Sequence, residues 1–305
     1  MDIGGTNTRV GTSHDGRHFF VIKKFQTPHR FSDGIKKIIA CVRKLQTAHK
    51  LNGLVVAIPG TIDRHDGASP RLPNLPGWSN RPIAQQLAAE FHTKIRLVND
   101  ADAAGIGEAR RGAGRGFNRV AYFTISTGIG GARLINGAID PKAHNFEPGH
   151  QLLIPQGRNC ACGRHGCFEA YGSGTAFYKT YGVRTENCKD QRIWNEYART
   201  LGQGIINAVE HPHLPHPPLS PWERDAEGGV RGPNRFSPHA HATPDIIIIG
   251  GGVSQVGPRL FTPLRAYIKK NLKILKPPPI KKAALGDLAG LYGGLELLHN
   301  TILAY

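Results

Sequence analysis

Apolar residues recur along the chain at two spacings, and each spacing predicts one kind of element. Residues 31–49 carry apolar side chains at helical intervals, and residues 81–92 predict a second helix. Short apolar runs at 51–58 and 95–98 predict buried strands. Because strands and helices alternate in this way, the pattern predicts an α/β protein.

The two halves of the chain open with the same arrangement of elements. Residues 2–12 predict a strand end, a Gly/Thr turn and a second strand, and residues 120–135 repeat strand, glycine turn and strand. This repetition predicts a duplicated unit and two domains around a cleft. We expect a small domain over 1–116, joined by a closing helix over 288–305, and a large domain over 117–287.

The segment 211–244 follows neither spacing. It is rich in proline, histidine, glycine and arginine and almost free of aliphatic residues. Such a composition buries too little apolar surface to offset the entropy of ordering. We therefore expect a disordered insert in the large domain.

Composition narrows the class of protein. Of the 305 residues, 39% are hydrophobic and 20% are charged, as in globular proteins. The chain contains no run of about 18 uncharged apolar residues and no apolar leader after Met1. We therefore expect a soluble, cytoplasmic protein without a membrane partner.

The net charge of +17 is distributed unevenly. Between residues 246 and 286 there is no acidic residue, whereas eight lysines and arginines lie there. Two interpretations stay open: a solvated helix face, or a weak, salt-sensitive attraction to polyanions that has no sequence specificity. We expect no specific nucleic-acid partner.

Two glycine turns have the composition of phosphate-binding loops. Glycine lets the backbone approach a phosphate, and hydroxyl or amide side chains can donate to its oxygens. A single Gly-Gly-Thr turn is also typical of a hairpin, but two facing turns could clamp a polyphosphate. The first turn comprises Gly4, Gly5, Thr6, Asn7 and Thr8, and the second comprises Thr127, Gly128, Gly130 and Gly131.

Asp100 follows a predicted strand and opens a predicted helix. In open α/β folds the carboxyl ends of the strands are where sites are built. A helix-capping role would explain the same position equally well. The spacing alone leaves both interpretations open.

Three cysteines and a histidine form a third pattern. His150, Cys160, Cys162 and Cys167 follow the spacing H-x9-C-x-C-x4-C. One nitrogen and three sulfur ligands are the ligand set of a closed structural zinc site. Crowded cysteines in a reducing compartment favour a metal over a disulfide. A closed site of this kind fixes geometry and does not activate water.

Taken in chain order, these motifs resemble the ROK family, whose name covers repressors, open reading frames and kinases. Within the family the likeness is greatest to bacterial glucokinases. The resemblance implies the two-domain actin-like ATPase (ribonuclease H-like) fold, with nucleotide and sugar in the cleft between the domains. It also implies a homodimer and an ATP-dependent kinase that phosphorylates the 6-hydroxyl of glucose. It rests on residues 2–8, 74–78, 99–100, 126–131, 147–150 and 160–169.

The same resemblance implies a role for each motif. Asp100 would be the general base, and Asp2 would help to organise Mg²⁺. Both glycine turns would hold the phosphates of ATP, with Gly250, Gly251 and Gly252 at the adenosine. The implied sugar-binding residues are Asn74, Asn99, Asp100, Glu147, His150 and Glu169, and the implied zinc ligands are His150, Cys160, Cys162 and Cys167.

Four questions stay open: the start of the chain, the sugar substrate, the phosphate donor and turnover itself. Only Met1 precedes Asp2, where family members have several apolar residues that form a strand inside the sheet. We expect a native start upstream of Met1, and the alternative is a small domain that lacks this central strand. The substrate could instead be an N-acetylhexosamine (N-acetylglucosamine or N-acetylmannosamine) or fructose, and polyphosphate could replace ATP. A degenerate member would bind sugar without turnover.

Overall fold

The chain forms two compact units in the computed structural model. The first contains Met1–Tyr122, Ala132–Ile139 and Ala283–Tyr305, and the second contains Phe123–Gly131 and Asp140–Lys282. The structure describes residues 1–46, 51–60, 62, 72, 75–141, 143, 146–210, 243–273 and 275–302. Asn74 and nearly all of the predicted insert, residues 211–242, lie outside the described residues.

The first unit contains a mixed five-stranded sheet with the order β3-β2-β1-β4-β5. Strand β1 pairs antiparallel with β2 and parallel with β4, and β4 pairs parallel with β5. The central strand β1 is therefore present, and it is two residues long. The strands are β1 (Asp2–Ile3), β2 (Asn7–Thr12), β3 (Val21–Gln26), β4 (Leu54–Ile58) and β5 (Ile95–Asn99).

Within the described residues, four α-helices belong to the first unit. The buried face of α1 carries Ile35, Ile38 and Val42 at the spacing that predicted a helix, but the helix ends at Leu45. Helices α3 and α8 pack closely, and Gly293 of α8 lies against the Ala103 backbone. The helices are α1 (Phe31–Leu45), α2 (Ile83–Phe91), α3 (Asp100–Arg111) and α8 (Ala289–Ile302).

A second five-stranded sheet has the order β10-β9-β6-β7-β8. Asn136 and Gly137, with φ of 53° and 72°, form the predicted tight turn between β7 and β8. Strand β10, which pairs parallel with β9, is absent from the sequence prediction. The strands are β6 (Arg119–Ile125), β7 (Ile129–Ile135), β8 (Ala138–Ile139), β9 (Ile246–Gly250) and β10 (Ile280–Lys282).

The observed division of the chain differs from the expected boundary at residue 116. Gly105 of α3 packs against Tyr122, Ala132 and Leu134. These parts of β6 and β7 therefore belong to the first unit, whereas the prediction assigned both whole strands to the large domain.

The core of the second unit is aromatic. Phe177 stacks on Trp194 and meets Tyr197 edge-on, with ring centroids 4.9 Å apart in both pairs. These rings join α5 to α6. The helices of this unit are α4 (Glu169–Gly172), α5 (Gly174–Tyr181), α6 (Gln191–Glu210) and α7 (Pro258–Asn271). Within the described ranges, no helix combines the length and apolar character needed to cross a membrane.

Candidate active site

Asp100 is the first residue of α3, directly after β5. The helix is capped by its neighbour: Asn99 Oδ1 accepts from the backbone N–H groups of Ala101 at 2.8 Å and Asp102 at 3.0 Å. Asn99 Nδ2 donates to the Gly60 carbonyl at 3.0 Å. Asn99, rather than Asp100, is therefore the residue that caps α3. Most of the hydrogen-bonding capacity of the Asn99 amide is taken up by backbone groups, which leaves one amide hydrogen for a sugar.

The Asp100 carboxyl has an unusual proton affinity. Burial is the main cause that raises its pKa to about 6, and the nearby charge of Asp2 raises it further. The N–H of Ala101, 2.8 Å from Asp100 Oδ1, opposes this rise. A carboxylate with a pKa close to neutrality can accept a proton more readily than an ordinary aspartate.

Asp2 lies in the short central strand and is also largely buried. Burial raises its pKa, and the Arg9 guanidinium, with Nη1 3.7 Å from Asp2 Oδ2, opposes the rise. Gly290 of α8 lies beside the Asp2 carboxylate. The Asp2 carboxylate offers hard oxygen ligands, and a divalent cation beside it would offset the charge that raises the pKa of Asp100. The residues present thus fit Mg²⁺, with Asp2 as the group that would hold it.

The first glycine turn is stabilised by hydrogen bonds within the turn and from the Thr27 side chain. Gly4 N–H donates to the Asn7 carbonyl at 2.9 Å, and Thr27 Oγ1 donates to the Gly4 carbonyl at 2.8 Å. Thr6 is exposed, whereas Thr8 is fully buried, and the Thr8 and Thr27 hydroxyl oxygens lie 2.9 Å apart. The Thr8 hydroxyl is thus buried against Thr27, and its contact with a phosphate stays a prediction.

The second glycine turn connects β6 and β7 and lies against Glu169. Ser126 N–H donates to the Gly128 carbonyl at 2.9 Å, and Ile129 N–H donates to Glu169 Oε2 at 2.8 Å. A Cβ added at Gly128 would lie 2.5 Å from the same carboxylate oxygen, so a larger residue here would displace the Glu169 side chain. Thr127 is exposed at the tip. The turn predicted to bind phosphate and a residue predicted to bind sugar are thus in direct contact.

Glu147 and His150 reach the same neighbourhood through a 3-10 turn, Pro148–His150. Gly149 in this turn packs against the Ile129 carbonyl, and His150 N–H donates to the Glu147 carbonyl at 3.0 Å. The structure therefore brings three predicted sugar-binding residues, Glu147, His150 and Glu169, to one end of β7.

The glycine corner after β9 approaches the same end of the sheet. Gly251 has φ of 80°, and a side chain at this position would clash with the Ile125 carbonyl. Ser254 Oγ donates to the Gly251 carbonyl at 2.7 Å and closes the corner. Residues 250–252 thus lie beside the strand that leads into the second glycine turn.

The four predicted metal ligands converge. Their ligand atoms all lie within 4.8 Å of one another. Cys160 Sγ is 3.6 Å from His150 Nδ1, and Cys162 Sγ is 3.7 Å from Cys167 Sγ. Burial raises the pKa of the Cys160 thiol to about 12, so a bound cation would be needed to draw it into the thiolate form. This donor set fits a closed zinc site.

The candidate metal cluster and the candidate sugar residues share their surroundings. Cys160 Sγ lies 3.9 Å from Glu169 Oε1. Burial lowers the pKa of His150, and the charge of Glu169 opposes this effect. Arg164, which the sequence analysis missed, donates from Nη2 to the His150 carbonyl at 2.7 Å. Its position in the sequence between Cys162 and Cys167 could have indicated that Arg164 lies beside the metal cluster.

Residues 1–211 match the sequence profile of the ROK family, so the chain belongs to this family. A glucokinase of Thermotoga maritima is 30% identical, over 99% of this chain and 97% of that protein. An N-acetyl-D-glucosamine kinase of Escherichia coli is 28% identical, over 99% of this chain and 98% of that protein.

The fold is also that of solved members of the family. A ROK glucokinase from Streptomyces griseus, crystallised with glucose and AMPPNP, superimposes with a TM-score of 0.74. The two chains share 24% identity over 97% of each. The expected α/β fold of the actin-like ATPase type is thereby confirmed.

Proposed function

We propose that this protein is an ATP-dependent hexose kinase that phosphorylates the 6-hydroxyl of glucose, with Asp100 as the general base. The observation that carries the proposal is the Asp100 carboxyl, which opens α3 and has a pKa raised to about 6. The relationship to a glucokinase over almost the whole chain supports the choice of reaction.

The chemistry needs one proton acceptor and good positioning. Asp100 takes the proton from the sugar hydroxyl. At the same time the oxygen of that hydroxyl forms a bond to the γ-phosphorus of ATP. The bond between that phosphorus and the β,γ-bridging oxygen breaks, and ADP carries away the electron pair. Mg²⁺, held through Asp2, supplies neutralisation of the phosphate charge. No covalent enzyme intermediate is required.

The two glycine turns and the corner after β9 bind the nucleotide in this proposal. The first turn offers backbone N–H groups, the exposed Thr6 hydroxyl and Asn7. The second turn offers Thr127, Gly128, Gly130 and Gly131, and the adenosine lies at residues 250–252. Contact between Gly128 and Glu169 supports this arrangement, because it joins the phosphate loop to the sugar-binding residues.

Glu147, His150 and Glu169 bind the sugar hydroxyls, with Asn74 and the second amide hydrogen of Asn99 as auxiliary contacts. Zinc on His150, Cys160, Cys162 and Cys167 fixes these side chains. We place the protein in the cytoplasm, where ATP is available and thiols stay reduced, and we expect a homodimer.

N-acetylglucosamine is the second candidate substrate, because the kinase of Escherichia coli matches the chain almost as well as the glucokinase does. The two sugars differ at the 2-position, so one panel separates them. We would measure ADP formation with glucose, N-acetylglucosamine, N-acetylmannosamine, fructose or no sugar, with Mg²⁺-ATP and zinc present. The same assay with polyphosphate in place of ATP tests the donor.

The highest kcat/KM is expected with glucose, and little ADP is expected without sugar. A preference for N-acetylglucosamine would establish the second candidate. If the protein binds a sugar but forms no ADP from ATP with any of these sugars, the assignment as an enzyme would be overturned and a sugar-binding protein would be favoured.

A further inference from the structure

Arg9 connects two carboxylates in the first unit. It lies on β2 directly opposite Asp2 of β1, and its Nη1 is 3.7 Å from Asp2 Oδ2. Its other terminal nitrogen, Nη2, donates to Asp287. The side chains of Arg9 and Asp2 are 14% and 16% exposed, whereas Asp287 is 74% exposed. The guanidinium therefore bridges an inner and an outer carboxylate.

The backbone segment before the outer carboxylate is anchored by a residue of the protein interior. Asp287 lies in a 3-10 turn, Gly286–Leu288, just before α8. The segment that enters this turn is anchored by the fully buried Glu108, whose carboxylate accepts from the N–H groups of Ala284 at 3.0 Å and Leu285 at 2.7 Å. Lys24 Nζ also approaches Asp287, at 3.9 Å. The backbone that leads to Asp287 is thus anchored, and from it the exposed Asp287 carboxylate reaches Arg9.

We propose that Arg9 is a positioning residue that orients the Asp2 carboxylate for the Mg²⁺-nucleotide through its bridge to Asp287. The inference rests on the proposed function, since it assigns Asp2 to magnesium. The charged groups around Asp2 are Arg9, Asp100, Asp287 and the amino group of Met1, and α8 presents Gly290 there. Arg9 is the side-chain cation among them.

Two other roles for Arg9 make opposite predictions. If Arg9 contacted a phosphate directly, its removal would weaken nucleotide binding with or without Mg²⁺. If Arg9 only competed with the metal for Asp2, its removal would strengthen magnesium-dependent binding. The geometry disfavours a direct phosphate contact, because both terminal nitrogens already face carboxylates and little of the side chain is exposed. The direction of the change in magnesium-dependent binding separates positioning from competition.

The test measures ADP binding by titration calorimetry, in Mg²⁺ and in EDTA, for the full chain and for Arg9→Gln. Loss of a group that orients a metal-binding residue typically costs 10–100-fold in metal affinity. We expect Arg9→Gln to weaken ADP binding in Mg²⁺ about tenfold and to leave binding in EDTA unchanged. Arg43→Gln is the matched control, because it removes another ion-paired arginine of the same unit, on α1.

Asp287→Asn is the second variant, and it keeps the test decisive if Arg9→Gln unfolds. It should weaken magnesium-dependent binding in the same direction by about threefold, less than the loss of a direct ligand partner. Tighter or unchanged binding in both variants would overturn the proposal, and so would an equal loss in EDTA. If the wild-type protein forms ADP from ATP in the presence of glucose while Arg9→Gln binds Mg²⁺-ADP normally, the role of Arg9 is refuted and the proposed kinase function is not.

Discussion

The two candidate clusters use polar groups in opposite ways. In the first unit, Asp2 and Asp100 are carboxylates, and the charge of Asp2 raises the pKa of Asp100. In the second unit, one imidazole and three thiols converge within 4.8 Å, an arrangement that a single cation satisfies. In our proposal, the first cluster carries out the proton transfer and the second keeps the sugar-binding side chains in place. The comparison teaches that only the first should control the rate of proton transfer, while the second should control sugar affinity and stability.

The largest expected effect tests the first cluster. Asp100→Asn should lower kcat about 10²–10⁴-fold, because the base is lost while the shape is kept. It should also raise the free energy of unfolding at pH 7 by about 1–3 kcal/mol, since the buried carboxylate with its raised pKa destabilises the folded state there. Steady-state kinetics and chemical denaturation check both effects. Asp33→Asn, at an exposed position in the first turn of α1, is the control and should change neither property by a comparable amount.

The next effect tests the second cluster. Cys160→Ser should remove the metal and cost about 3 kcal/mol or more of stability. Sugar affinity should fall about tenfold or more, because His150 and Glu169 lose their support. Metal content, thermal unfolding and glucose titration report these changes. Cys41→Ser should retain metal, and an unchanged glucose affinity in metal-free Cys160→Ser would disprove the link between the cluster and the sugar.

The pH dependence sharpens the contrast. Asp100 must be ionised to accept a proton, and its pKa is raised to about 6. Activity as kcat/KM for glucose should therefore level off above about pH 6 and fall about tenfold per pH unit below it. Cys160→Ser should keep this profile at a lower amplitude. A profile that stays flat down to pH 4.5 would contradict the assigned base.

The smallest effect separates two neighbouring threonines. Thr8→Val removes the buried contact with Thr27 and should cost about 1 kcal/mol of stability. Thr6→Val should leave stability unchanged and raise the KM for ATP about 2–10-fold, because this hydroxyl is exposed. Thermal unfolding and ATP titrations distinguish them. A reversed pattern would mean that the turn presents its other face to the nucleotide.

The metal cluster was the part of the molecule most open to prediction from sequence. Three cysteines within eight residues already define the ligand set, because the loop is too short to place them far apart. His150 completes the spacing H-x9-C-x-C-x4-C, and the family likeness implies the same four ligands. The structure brings all four residues together.

The first cluster was harder to predict because its properties depend on contacts between distant segments. The spacing could not decide whether Asn99 or Asp100 caps α3, and it could not show that Thr8 points into the core. Arg9 was missed because its partner Asp287 lies near the other end of the chain. Strand β10 was missed because three residues, two of them lysines, show no strand pattern.

The measurement that tests the central claim most directly compares wild-type protein and Asp100→Asn for glucose binding and for glucose-dependent ADP formation. The account predicts that both proteins bind glucose with similar affinity and that only the wild type forms ADP at an appreciable rate. Substantial ADP formation by Asp100→Asn, or none by zinc- and magnesium-loaded wild type with glucose, would contradict it.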